Sequence, residues 1–270
     1  MQPMVNIALR AARVAGEQIT RAVERLDLVK SEQADAAKLI SETCKKAELS
    51  ITQAIHKAYP NHKVIGEYTG EHPPIGEGPE FTWTINPIDS LSNFSNGLPT
   101  FALCIAGQQN NRIEHALILN PITNEEFTAS RGHGAQLNGK RLRVSNHKGI
   151  EHALISTGFF NRKSDKDHLD TYLNIFRDIT TTGGTIYNGG SPALNLAYIA
   201  AGRIDGYYQI GLNYSEIEAG LLLIQEAGGL VGDFKGSNNF RQNGNLIAGN
   251  PKMFKALIKA LQPSLTDDLK

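Results

Sequence analysis

Residues able to do chemistry gather first between Thr82 and Ala106, where the chain reads TWTINPIDSLSNFSNGLPTFALCIA. An apolar run, Trp83 to Ile85, leads into Asn86-Pro87-Ile88-Asp89. A second apolar run, Phe101 to Ala106, follows Gly97 and Pro99. Pro87 has no N–H to give to a sheet ladder, so the first strand is expected to end there. The chain would then turn over Asn86 to Asp89 and set short, oxygen-bearing side chains at a strand's end. In layered α/β proteins ligands commonly bind at such a place.

The elements that position this stretch follow from periodicity. Residues 3–26 repeat apolar side chains every three or four positions (Met4, Ile7, Ala11, Ala15, Ile19, Val23, Leu26), and Pro3 suits a first helical turn. A second helix is expected over about 35–59, with Ile40, Cys44, Ala47, Ile51, Ile55 and Ala58 on one face and Pro60-Asn61 as its stop. Residues 63–68 read as a short strand ending in Gly-Glu-Tyr, and residues 70–79, rich in Gly and Pro, as a loop. Two hairpin signals follow, at Asn120-Pro121-Ile122-Thr123 and at Asn138-Gly139. The first half thus predicts two helices on a largely antiparallel sheet.

Beyond about residue 148 the pattern alternates between strand and helix, an α/β arrangement. Strands are expected at 153–158, 205–210, 230–234 and 246–249. Helices are expected at 168–179, from Ser191-Pro192 to Ala201, at 216–227 and at 251–261. The whole is expected to be one domain with lobes of about 1–147 and 148–270.

Bulk properties narrow the function. Lys plus Arg and Asp plus Glu balance at 27 each, so no strong direct nucleic-acid surface is expected. Cys44 and Cys104 lack CxxC spacing and sit in apolar surroundings, which fits a reducing compartment. No apolar run approaches the ~18 residues of a membrane span, and a cytoplasmic protein is expected. The eight histidines show no ligand spacing. Gly183-Gly184 and Gly189-Gly190 lack a nucleotide fingerprint's strand–glycine–helix context.

The central stretch resembles the inositol monophosphatase signature W-x-I-D-P-L-D-G-T-x-N-F-x-x-G-L-P-x-F-A. Further matches are Ile65-Gly66-Glu67, Gly190-Ser191, residues 200–206 (AAGRIDG), Glu226-Ala227-Gly228-Gly229 and Ala248-Gly249-Asn250-Pro251. The opening MQPMVNIALRAAR most resembles the family's bacterial SuhB-like branch. The resemblance covers nearly the whole chain. It implies a layered α-β-α-β-α sandwich, normally a homodimer, with magnesium held beside a phosphate ester. Metals there would polarise phosphoryl oxygens and lower the pKa of a bound water.

Carried over position by position, the resemblance implies metal ligands at Glu67, Asp89, the Ile88 carbonyl and Glu216. Glu67 and Asp89 keep their charge, although hydrogen bonding to turn backbone would explain each about as well. Asn86 replaces an aspartate that touches two metals. An amide offers one neutral oxygen and a cation-repelling donor, so closely spaced ions are disfavoured. Ser90-Leu91 replaces Gly-Thr, and Cys44 replaces an aspartate on the second helix, so both halves of the water-activating pair are lost. Cys44 reads better as a buried apolar residue. Residues 215–220 (SEIEAG) align with Trp-Asp-x-Ala-Ala-Gly, and Glu216 is one methylene longer than the aspartate it replaces; a helix-start role suits it better. Gln209 takes the place of a substrate-gripping glutamate, Tyr187-Asn188 that of two arginines, and Ser191 is explained by an N-cap.

The leading expectation is a catalytically inactive or very weak protein of this fold, retained for binding, with Mg2+ absent or reduced to one weakly held ion. By resemblance its partners would be Nus factors and RNA polymerase in antitermination on ribosomal RNA operons. The alternative is a magnesium-dependent inositol-1-monophosphatase with a remodelled metal site. A sugar-bisphosphate or nucleotide phosphatase has less motif support.

Overall fold

A computed structural model of the chain describes residues 2–29, 33–78, 80–158 and 163–269. Two long helices, α1 (Pro3–Val29) and α2 (Gln33–Ala58), pack on each other and on an eight-stranded sheet. Small buried residues (Ala8, Ala12, Ala15, Ala22) line α1's inner face, and Ala47, Ile51 and Ile55 line that of α2. Small side chains let the helices approach the sheet closely, and burial of the larger ones supplies the driving force.

The first sheet contains β1 (Lys63–Gly66), β2 (Gly70–His72), β3 (Thr82–Asp89), β4 (Ala102–Gln109), β5 (Arg112–Asn120), β6 (Glu125–Ser130), β7 (Gly134–Leu137) and β8 (Lys140–Arg141). Its spatial order is β2-β1-β3-β4-β5-β6-β7-β8. All neighbours are antiparallel except β1 and β3. At the β7–β8 turn, Leu137 pairs with Lys140, and Asn138 and Gly139 have φ of 49° and 80°. That is the left-handed pair a two-residue hairpin demands.

The second sheet has order β10-β9-β11-β13-β12. It is built from β9 (Leu154–Thr157), β10 (Thr185–Tyr187), β11 (Gly206–Gln209), β12 (Leu230–Gly232) and β13 (Leu246–Gly249). Helices α5 (Pro192–Ala200) and α6 (Tyr214–Glu226) lie between the sheets, in one apolar cluster with both. Helices α4 (Leu169–Thr181) and α8 (Pro251–Leu261) cover the outer face of the second sheet. The layers therefore read α-β-α-β-α, as expected. No helix among the described residues is long and apolar enough to cross a membrane.

Three expectations need correction. The strand through Trp83 does not stop at Pro87 but continues to Asp89, with its register to β4 shifting between Asn86 and Asp89. Pro87 is tolerated because β1 pairs with β3 only as far as Ile85 and the strand bulges on its other side. The expected loop at 70–79 begins with β2, which pairs antiparallel with β1 through Gly66↔Gly70; Pro79 lies outside the described residues. Short elements escaped periodicity altogether: β10, α3 (Leu91–Ser95) and α7 (Phe240–Asn243).

His62 sits in an aromatic stack at the edge of this sheet, 4.8 Å from the Tyr59 ring and 4.6 Å from Phe81. Its Nδ1 accepts the Trp83 Nε1–H at 2.9 Å. Burial first, then His115 and His56, hold the His62 pKa below its ordinary value, and burial and His133 do the same to His115. The unfolded chain therefore binds more protons than the fold as pH falls through the ordinary histidine range, so stability rises with pH across that window. The urea midpoint should drop between pH 7 and pH 5.5, and His115→Phe should flatten the drop. An unchanged slope in that variant would remove His115 from the account.

Candidate functional site

A cleft of about 270 Å³ opens where β3, α3, α5, β11 and α6 converge. Its lining includes Glu67, Asn86, Ile88, Asp89, Ser90, Leu91, Gln209 and Glu216. Residues more than 140 positions apart in sequence thus meet at one place. β1 ends just before Glu67; the bulge of β3 presents Asn86, Ile88 and Asp89; the first turn of α6 supplies Glu216. Ser90 holds φ at 74°, in the left-handed region that glycine occupies without strain.

Asp89 is buried. Its Oδ2 accepts the Ser191 hydroxyl and, at 3.0 Å, the Ala193 N–H. It therefore also serves as an anion at the start of α5. Ser191 Oγ accepts the Leu194 N–H at 3.1 Å, the expected N-cap. Glu216 Oε2 accepts the Asn213 N–H at 2.7 Å, closing a capping box. Asn86 Oδ1 is buried without a hydrogen-bond partner among the described residues. Gln209 Oε1 accepts the Tyr207 hydroxyl, so at least one of its polar atoms is committed inside the fold. The Glu67 carboxyl is held above its ordinary pKa by desolvation, then by Glu48 and Glu216.

Cys44 is absent from the cleft lining: it is buried on α2. Burial pushes its thiol up to about 12, against a hydrogen bond with Tyr68. Cys104, the cross-strand neighbour of Asn86, lines a second cavity of about 230 Å³. This side chamber shares Glu67, Asn86 and Ser215 with the cleft and adds Ile65, Ile85, Ala106 and Ala219.

Paired magnesium ions demand anionic oxygens that bridge them. The donor set here does not fit a bridged pair, because the residue at the bridging position is a neutral amide. Among the described residues, no three His, Cys, Asp or Glu side chains gather closely enough to hold a metal ion.

Two buried acids went unnoticed in the sequence. Glu48 accepts hydrogen bonds from the Tyr68 and Thr69 N–H groups and the Thr69 hydroxyl, which fixes the turn carrying Glu67. Its signal was available, since Glu48 lies one helical turn past Cys44 on the same face. Glu218, aligned with an alanine of the family pattern, accepts the Thr84 hydroxyl at 2.5 Å, and burial raises its pKa.

Fold and cleft together define a phosphatase-type sandwich with a site at the junction of its layers. The chain belongs to the inositol monophosphatase family, whose model matches residues 1–266. The Nus factor SuhB of Pseudomonas aeruginosa is 50% identical over 270 residues, covering 100% of both proteins. That of Escherichia coli K12 is 42% identical with the same coverage. Among solved structures, the native suhB protein of Bartonella henselae superposes with a TM-score of 0.85 at 32% identity, covering 98% of this chain and 100% of that one. A Thermotoga maritima IMPase superposes at 0.81 and 27% identity, over 97% and 98%. The chain is SuhB-like along its whole length.

Proposed function

We propose that this protein is a pseudoenzyme of the inositol monophosphatase fold, kept as a binding factor that joins Nus factors and RNA polymerase in the cytoplasm. The observation that carries the reading is Asn86. A neutral, buried amide stands at the position where hydrolysis needs a bridging carboxylate. Asp89 and Glu216 support it, because both now do structural work at helix starts. The binding half rests on likeness to proteins named Nus factors. We further propose that the chain is a single two-lobed domain acting as a homodimer.

The test is phosphate release from inositol 1-phosphate, scanned over magnesium and manganese. Losing even one preorganised charge-stabilising group costs about 10²–10³ in rate, so the expected rate lies a thousandfold or more below that of active relatives. A rate within tenfold of theirs would overturn the proposal. It would favour the second reading, in which Glu67, Asp89, Glu216 and the Ile88 carbonyl hold one magnesium ion. Pull-down of RNA polymerase and Nus factors by the tagged full chain tests the binding half, and failure to enrich them would remove it.

A further inference from the structure

The side chamber holds about 230 Å³, and its walls are mainly Ile65, Ile85, Cys104, Ala106 and Ala219. Protein interiors close-pack and leave few voids larger than a water molecule, so a space of this size calls for an occupant. An apolar cavity of about 150 Å³ takes up benzene, and this one is about half as large again, room for a fused two-ring system. Glu67 and Ser215 are the exposed members of the lining, so the chamber opens to solvent on their side. Thr84 also lines it, but its hydroxyl is already given to Glu218 at 2.5 Å.

Asn86 is the polar exception on the buried walls. It is 8% exposed, and its Oδ1 is buried with no hydrogen-bond partner among the described residues. A carbonyl oxygen left this way is costly, and an occupant bearing one N–H would relieve it. Glu67 is the charged residue of the lining, and it disfavours an anion. The buried walls carry no charge to replace an ion's hydration, so the occupant is uncharged. The sequence gives the space a correlate. Ser215 stands at the tryptophan position of the Trp-Asp-x-Ala-Ala-Gly pattern, and serine is smaller than tryptophan by an indole ring.

We propose that the side chamber is a binding site for a small uncharged aromatic heterocycle with one N–H, of the size and kind of indole. The ring packs on Ile65, Ile85, Cys104, Ala106 and Ala219, and its N–H donates to Asn86 Oδ1. No ion takes part, so the inference stands whether or not the cleft hydrolyses phosphate esters.

Equilibrium dialysis of the full-length protein against indole tests it, with benzofuran as comparison. Benzofuran has the same shape, with an ether oxygen in place of the N–H. Indole should bind with a dissociation constant below about 1 mM, about tenfold tighter than benzofuran, the difference one hydrogen bond to a buried acceptor makes. Ser215→Trp supplies the ring from the chain itself and should weaken indole tenfold or more, while Ser215→Ala leaves it within twofold. Should Ser215→Trp fold poorly, Asn86→Leu gives a second readout: it removes the acceptor and should bring the two ligands within about twofold of each other. The proposal is overturned by no binding of indole at millimolar concentration, or by equal binding of the two ligands to the parent. Undiminished binding to a folded Ser215→Trp, or a preference for indole that survives Asn86→Leu, overturns it as well. Phosphate release from inositol 1-phosphate, measured on the same samples, is read separately. Its appearance would sink the pseudoenzyme reading and leave the indole result standing.

Discussion

Glu48→Ala is expected to destabilise the fold by about 3 kcal/mol, the largest single-residue effect proposed for this protein. Glu48 is fully buried on α2. Its Oε1 accepts the Tyr68 N–H at 2.9 Å, and its Oε2 accepts the Thr69 N–H at 2.8 Å and the Thr69 hydroxyl at 2.7 Å. Hydrogen bonds to a charged group contribute about 1.5–3 kcal/mol each, but they are not additive. Tyr68 and Thr69 are only partly buried, so water can replace some of the lost partners. This is why the expected cost is about that of one to two bonds rather than three. A β-carbon at Gly66 would come within 2.3 Å of Glu48 Oε2, so the carboxylate is pressed against the turn and alanine there leaves a void as well. Glu48→Gln keeps the shape and one acceptor and should cost about half as much. Urea unfolding with an unchanged slope measures both. A midpoint for Glu48→Ala matching the parent would mean that the strand pairing of β1 and β2 holds the turn unaided.

The same turn illustrates what the sequence could and could not disclose. Long elements were legible because periodicity accumulates over many residues: Ala11, Ala15, Ile19 and Leu26 do face the core. Capping chemistry was equally readable. Ser191-Pro192 starts α5, and Asn138-Gly139 makes the β7–β8 turn. β2 and β10 carry only three residues each, too few for alternation to register. They form because a neighbouring strand offers its edge, a tertiary fact. Pro87 sits inside a strand for a similar reason. Whether a strand tolerates proline depends on what lies beside it, and β1 ends before reaching it.

For the site, resemblance located the positions, and the fold shows what each side chain has become. Glu67, Asn86, Asp89 and Glu216 do meet in one cleft, although about 150 residues separate the first from the last. The sequence weighed a helix-start role for Glu216 against a ligand role, and its bond to the Asn213 N–H is of the helix-start kind. Glu48 is readable only from its place one helical turn past Cys44 on the same face, and Glu218 not at all, because a buried acid looks like any other polar residue until its donors are known. The side chamber had no local signal either. It is a space enclosed by Ile65, Cys104, Ala106 and Ala219, which come from three separate elements.

Restoring the family residues at five positions (Cys44→Asp, Asn86→Asp, Ser90→Gly, Leu91→Thr and Glu216→Asp) is expected to give a protein whose stability depends on magnesium. Asn86→Asp sets a fourth acid beside Glu67, Asp89 and the residue at 216, in a cleft with no basic side chain among the described residues. Cys44→Asp buries another near Glu48 and Glu67, both of which already act on the Cys44 thiol. Crowded, desolvated carboxylates oppose one another, and without a counter-ion the variant should lose several kcal/mol. Ser90→Gly works the other way, relieving a left-handed backbone by about 1 kcal/mol. In chelator the melting temperature should therefore fall well below the parent's. If the rebuilt acids bind magnesium with a dissociation constant of about 0.1 mM, then roughly 10 mM magnesium returns about 2.7 kcal/mol by mass action. The parent, lacking the bridging acid, should shift by less than a fifth of that. Phosphate release should appear in the variant only where magnesium restores its stability, since both would depend on the same bound ions. A variant that melts alike in chelator and in magnesium would show that the missing carboxylates are not what keeps paired cations out of this cleft.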